Sequence, residues 1–155
     1  MNLTTIQLGI SHLNACIELD QKALKGLWTQ SQWEKELKDP KRICIGVIDN
    51  KQQKLLGFCC AWILIDELHI TAIAVHPIHQ RKGIGKFLIL DLIKRSNSLT
   101  TNHLHLEVKE TNEQAKAFYK SMGFQTVGNR SHFYKDGSDA ILLTKKLNKN
   151  HKRNN

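Results

Sequence analysis

Residues Thr71 to Leu92, TAIAVHPIHQRKGIGKFLILDL, constrain the fold more than any other stretch of this chain. The apolar run Ile70 to Val75 reads as a buried strand. His76-Pro77 stops it, because proline lacks an N–H and restricts the residue before it. Gln80-Arg81-Lys82-Gly83-Ile84-Gly85 then makes a glycine-rich turn, and Phe87, Leu88, Leu90, Leu92 and Ile93 continue as a helix. A strand that turns through glycines into a helix is built to hold phosphate. Backbone N–H groups converge in the turn, and the helix start adds unpaired donors and a positive dipole end. Two nucleotide loops of this general shape are excluded. A Walker A loop needs glycine where Gln80 stands and Ser or Thr where Phe87 stands. A dinucleotide fingerprint needs a third glycine at Leu88, on a strand that opens the chain. A strand-to-helix turn with no ligand is the remaining alternative.

The rest of the chain bounds what surrounds this motif. Its 155 residues suit a single domain over 1–147, with 148–155 as a basic flexible tail. No apolar run reaches membrane-spanning length, and MNLTTIQLGI lacks the pattern of a signal peptide, so no membrane and a cytoplasmic location are expected. Cys16, Cys44, Cys59 and Cys60 form no C-x-x-C pair and read as reduced, buried thiols. The histidines are not spaced to complete a zinc site, so no metal is expected. Lys145, Lys146, Lys149, Lys152 and Arg153 carry five positive charges of a net +9, with no acid after Asp139. Any nucleic-acid contact would run through that tail, whose plainer reading is a solvated end. A monomer or weak dimer is expected.

Periodicity orders the elements. Leu3 to Leu8 alternates as a strand, and Ser11 can cap a helix whose face carries Leu13, Ile17, Leu24 and Leu27. A short helix follows over Ser31 to Leu37, capped by Thr29 or Ser31 and ended by Asp39-Pro40. Trp28 and Trp33 flank this turn, either packing the helices onto a sheet or walling a substrate site. Ile43 to Ile48 and Leu55 to Ile65 form a hairpin, and Leu68 to Val75 leads into the motif. In HLHLEV, Leu104, Leu106 and Val108 share one strand face, and His103, His105 and Glu107 the other. Thr111-Asn112-Glu113-Gln114 has capping-box form and opens a helix with Ala115, Phe118, Tyr119 and Met122 on its apolar side, ended by Gly123. Phe124 to Val127 and Ala140 to Leu147 close the chain as strands. The order β-α-α-β-β-β-α-β-α-β-β predicts an α/β (α+β) fold. Its mixed, mostly antiparallel sheet has about seven strands and about four helices on both faces.

Within the glycine-rich turn, Gln80, Gly83 and Gly85 meet the acetyl-CoA signature Q/R-x-x-G-x-G/A. With ITAIAV before it, LHLEV after it, and NEQAKAFYKSMGF carrying Asn112, Ala115, Tyr119, Gly123 and Phe124 at N-x-x-A-x-x-x-Y-x-x-x-G-F spacing, the chain resembles the GNAT superfamily of acetyl-CoA-dependent N-acetyltransferases. Within it, ALKGLWTQSQWEKEL, LEVKETN and GNRSHFYKDGSDAILL are most similar to RimI-type ribosomal-protein-alanine N-acetyltransferases. Phe133 and His79 depart from that pattern, standing where a tyrosine and an aromatic ring are usual.

The resemblance implies a donor and a division of labour. Acetyl-CoA would lie with its pyrophosphate on the amides of Arg81, Lys82, Gly83, Ile84, Gly85 and Lys86. Its pantetheine arm would run along Ile73, Ala74 and Val75, where the motif strand opens away from its parallel neighbour. Asn112 matches a cofactor-contacting position, with a plain helix cap as the alternative or additional role. Glu107 matches a general base and Tyr119 a general acid for the departing thiolate; Glu67 is the rival base. Trp28, Glu67 and Tyr134 would face the acceptor, most simply the N-terminal alanine of a ribosomal protein. A lysine, a polyamine or another small amine would use the same chemistry. A non-catalytic CoA-sensing or RNA-associated module is the reading from another class. No cysteine has a recognisable base partner, so direct attack by the amine is favoured over a covalent route.

Overall fold

The computed structural model describes residues 2–97 and 99–147. Its elements are β1 (Leu3–Gln7), α1 (Leu13–Leu24), α2 (Gln30–Lys38), β2 (Arg42–Asp49), β3 (Lys54–Leu64), β4 (Glu67–Val75), α3 (Ile84–Ser96), β5 (His103–Lys109), α4 (Glu113–Ser121), β6 (Gln125–Arg130) and β7 (Ala140–Lys146). Short 3-10 turns, Ile10–His12 and Pro77–His79, precede α1 and follow β4. The seven strands form one sheet in the order β1-β2-β3-β4-β5-β7-β6. Only β4 and β5 pair in parallel; every other neighbouring pair is antiparallel. The mixed sheet expected from the element order is therefore the one observed. The second crossover, β5 through α4 to β6, makes no adjacent parallel pair, because β7 inserts between those strands. The basic tail, 148–155, lies outside the described residues.

Each sheet face carries its own core. Ile45, Cys59, Leu104, Leu106 and Val108 pack with Leu88, Ile89 and Leu92 of α3 and Tyr119 of α4. Leu8, Cys44, Phe58 and Cys60 pack with Cys16 and Leu19 of α1 and Trp33 of α2. β4 contributes to both, and it changes side midway. Leu68 and Ile70 join the α3/α4 core, whereas Ala72 and Ala74 join the α1/α2 core. The change is a β-bulge: Ala61 pairs with Ile70 and Cys60 with Ala72, leaving Thr71 as the extra residue. The Thr71 hydroxyl donates to the Cys60 carbonyl at 3.2 Å. A bulge bends its strand and increases local twist. β4 accordingly pairs with β5 only over Glu67 to His69, against His103 to His105, and then the two strands part.

Several local expectations are refined. Ser11 caps nothing; it sits within the 3-10 turn, where the Gly9 N–H donates to His12 Nδ1 at 2.9 Å. Thr29 is the cap of α2, in a reciprocal box with Gln32. Asn112 caps α4 by accepting from the Ala115 N–H at 3.0 Å. Leu27 is no part of the α1 face. Lys25 and Gly26 turn left-handed after Leu24, and Leu27 is exposed beyond them.

That turn depends on Asp20, a carboxylate buried to 1% exposure. It accepts from the Leu27 N–H at 2.8 Å, the Trp28 N–H at 3.1 Å and the Trp33 indole N–H at 2.8 Å. A buried donor left without a partner costs about 1–3 kcal/mol. Asp20→Ala strands the buried Trp33 indole N–H and two partly buried amides, and is expected to lower stability by roughly 2–4 kcal/mol. Urea denaturation checks it: a loss near that of an exposed substitution would mean that the turn re-forms around water.

Candidate active site

Where β4 and β5 part, a cavity of about 750 Å³ opens between the starts of α3 and α4. One wall is the end of β4, Ile73, Ala74 and Val75; the floor of the loop contributes Gln80, Arg81, Gly83, Ile84, Gly85 and Lys86. Asn112, Phe118, Tyr119 and Met122 line the opposite wall, and Ala23 and Leu24 close the far end from α1. Of the residues that the sequence assigns to the donor, all but Lys82 line this cavity. Lys82 is exposed and points to no part of the wall.

The loop meets the physical requirements of an anion cradle. Arg81 and Gly83 both have positive φ, 62° and 84°, which folds the chain tightly before the helix. Gly83 is the N-cap of α3 and has no side chain to occupy the helix end. The first intrahelical bond of α3 is from Phe87 N–H to Gly83 carbonyl at 3.0 Å. The amides of Ile84, Gly85 and Lys86 therefore have no helical acceptor, and Arg81 and Lys86 add positive charge beside them. A Cβ on Gly85 would stand 3.3 Å from the Phe118 ring, so the small residue also sets how closely α4 approaches.

Tyr119 is buried in the cavity wall, its ring edge-on to Phe118 at 5.1 Å and to Phe124 at 5.5 Å. Burial, with a smaller contribution from Cys59, pushes its phenol well above the ordinary tyrosine value. The hydroxyl thus keeps its proton across the working pH range.

Glu107 does not line the cavity. It lies on the sheet face of α1 and α2, in a row of charged side chains that bridges the parallel strands. His69 Nε2 is 3.6 Å from Glu107 Oε1, and His105 Nε2 is 3.2 Å from Glu67 Oε1, so the two strands exchange His–Glu contacts crosswise. Strand alternation places Glu67 and His69 opposite Leu68 and Ile70, and the Thr71 bulge sets them on the same sheet face as Ala72 and Ala74. Arg130 Nε approaches Glu107 Oε2 at 3.3 Å, but that oxygen is buried and has no partner in hydrogen-bond geometry. Glu107 retains one acceptor position for another group. Of the rival bases, Glu107 is 19% exposed and Glu67 47%, so Glu107 is the better shielded.

Tyr134 stands beside this row, half-buried. Burial and then the Glu107 charge raise its phenol. Lys109 lies 5.5 Å above its ring and pairs with Asp136 at 2.7 Å. That lysine, with the Ser138 hydroxyl and amide, holds the Asp136 carboxyl well below the usual range and fixes the β6–β7 turn. Trp28 does not line the cavity. Its ring sits edge-on to Trp33 at 4.8 Å, against the α1/α2 core. Sequence patterning missed Ala23, Leu24 and Phe118 as cavity residues and His69 as the partner of Glu107. Their positions carry no local signal, since each is an ordinary helix or strand residue until the fold brings it to the site.

The comparisons agree with this geometry. The model of the Acetyltransferase (GNAT) family matches residues 10–124. N-alpha-acetyltransferase RimI of Mycobacterium tuberculosis is 30% identical over 135 residues, 83% of this chain and 82% of that one. The crystal structure of the ribosomal-protein-S18-alanine N-acetyltransferase from Escherichia coli superposes with a TM-score of 0.87 at 26% identity, covering 99% of each chain. Arabidopsis thaliana NAA60 in complex with acetyl-CoA superposes at 0.86 and 17% identity, over 94% of this chain and 99% of that one, a likeness of fold alone. A glycine-rich helix start beside split parallel strands, and a family model that spans most of the chain, lead to one conclusion: this protein belongs to the GNAT acetyltransferase family.

Proposed function

We propose that this enzyme transfers acetyl from acetyl-CoA to the N-terminal alanine of a ribosomal protein. The observation that carries the donor half is the cavity where β4 and β5 separate, with free α3 amides at one end and Tyr119 in its wall. Acetyl-CoA supplies the thioester. The amides of Ile84 to Lys86 and the side chains of Arg81 and Lys86 hold its phosphates. From Ile70 to Val75, β4 pairs with β3 alone, so its other edge offers main-chain groups to the pantetheine arm and an N–H to the polarised carbonyl oxygen.

The acceptor half rests on the row across β4 and β5. An α-amine has an unperturbed pKa of about 7.7–8.0, so a modest pull frees its lone pair. Glu107 takes that proton directly or through one water, held in place by His69 and Arg130. The anionic pair Glu107 and Glu67 also favours a cationic amine over a neutral acceptor, and Tyr134 borders the approach. Tyr119 donates a hydrogen bond to the departing sulfur. A thiol has a pKa of about 8.5, so its thiolate is a weaker base than a phenolate above the ordinary tyrosine value, and the hydrogen bond does the stabilising. The alanine acceptor is supported by the similarity to the two N-terminal acetyltransferases above.

A panel of peptides that differ in their first residue, with and without an internal lysine, tests the acceptor by CoA release. Alanine-led peptides of ribosomal proteins are expected to turn over fastest. Reaction at internal lysine or at polyamines, with free N-termini inert, would replace this acceptor and leave the donor site as described.

A further inference from the structure

Beneath α2, on the face away from the phosphate cradle, lie three ligating side chains that acetyl transfer does not use. Cys44 of β2 and Cys60 of β3 are direct cross-strand partners. Glu36 of α2 points down onto them. A carboxylate oxygen of Glu36 and the two sulfurs all lie within 4.8 Å of one another. Among the described residues this is the one group of three potential metal ligands so placed. All three residues are buried, Cys60 completely, Cys44 to 3% exposure and Glu36 to 7%.

The two Glu36 oxygens are not alike. Oε1 takes an ion pair from Arg42 Nη1 at 3.2 Å. Oε2 is buried with no hydrogen-bond partner. The Thr71 hydroxyl beside Glu36 has one proton, for which the Cys60 carbonyl at 3.2 Å competes, so Thr71 satisfies the carboxylate only in part. A buried carboxylate oxygen without a donor costs about 1–3 kcal/mol or more unless something else satisfies it. Two thiols at its side cannot do so well, because S–H is a weak donor.

We propose that Glu36, Cys44 and Cys60 bind a thiophilic divalent cation, Zn²⁺, as a structural site that ties α2 to the sheet. Zinc takes thiolate at about 2.3 Å and carboxylate oxygen at about 2.0–2.2 Å; the three side chains fill three of its four usual positions, and a water would take the fourth. Charge balances as well. Two thiolates and one carboxylate give −3, against which the cation and Arg42 supply +3. Each ligating thiol gives up its proton, so binding releases two protons. Sequence spacing gives no hint of the site, because its ligands come from one helix and two strands and include no histidine.

The test uses the full chain, refolded with one equivalent of Zn²⁺ or Cd²⁺ under a non-chelating reductant and then gel-filtered. One retained metal per chain is expected, with an ultraviolet thiolate-to-cadmium charge-transfer band and a raised melting temperature that a chelator reverses. Cys44→Ser and Glu36→Gln are expected to lose the retained metal, and Cys16→Ser to keep it. Glu36→Gln preserves size, so its folding can be verified by circular dichroism before metal is added. No retained metal in the wild-type chain would overturn the site. Retention that survives both Glu36→Gln and Cys44→Ser would place the ion elsewhere and overturn it equally.

Discussion

Glu107→Gln is expected to lower turnover on an alanine-led peptide by about 10²-fold near pH 7, within the range of general-base catalysis. The loss should shrink as pH rises past about 8, because the free α-amine then predominates without help. The sign follows from the amine. Below its pKa each unit of pH removes about tenfold of the neutral form, so a base matters most there. Glutamine keeps the shape and the contact with Arg130 but accepts no proton. The measurement is a pH profile of kcat for both enzymes. A ratio that stays constant with pH would transfer the role to Glu67 or to solvent, and Glu67→Gln distinguishes those two. His69→Ala should move the profile less than Glu107→Gln, since His69 only orients the carboxylate at 3.6 Å.

Tyr119→Phe is expected to cost about 10²–10³-fold in turnover with little change in acetyl-CoA affinity, as for loss of one preorganised donor. The ring packs against Phe118 and Phe124, and phenylalanine preserves that packing. Only the hydroxyl is lost, and its effect is confined to the moment when charge develops on sulfur. Because burial keeps the phenol protonated, no high-pH decline in the wild-type rate should trace to Tyr119 below its raised pKa. Binding of acetyl-CoA by calorimetry and kcat by thiol release separate the two effects. Equal losses in both would make Tyr119 a wall of the cavity rather than a donor.

The two residues belong to different groups. Tyr119 shares the cavity with the phosphate loop, whereas Glu107 sits with His69, His105 and Glu67 across the parallel strands. In the proposed reaction donor and acceptor would meet from opposite faces of the sheet where β4 and β5 part. The Thr71 bulge lies at that point, where the side chains of β4 change face.

Much of this was legible before the fold was known. Gln80, Gly83 and Gly85 mark a tight turn into a helix through local chemistry, since positive φ and free helix-start amides are properties of a few consecutive residues. The alternation of HLHLEV determined that Glu107 shares a face with His103 and His105. The periodicities determined the element order, and the order allowed one kind of sheet. Tertiary structure decided what those local rules cannot reach. It placed β7 between β5 and β6, took Leu27 out of the α1 face through the Asp20 turn, and set Trp28 against Trp33 in a core. It paired His69 with Glu107 and gathered Glu36, Cys44 and Cys60. The strand order and the His69–Glu107 pair join residues far apart in sequence, and the others depend on how a turn or a strand face directs a side chain. A single extra residue at Thr71 reverses that face for everything before it, and no count of periods along β4 alone reveals the reversal.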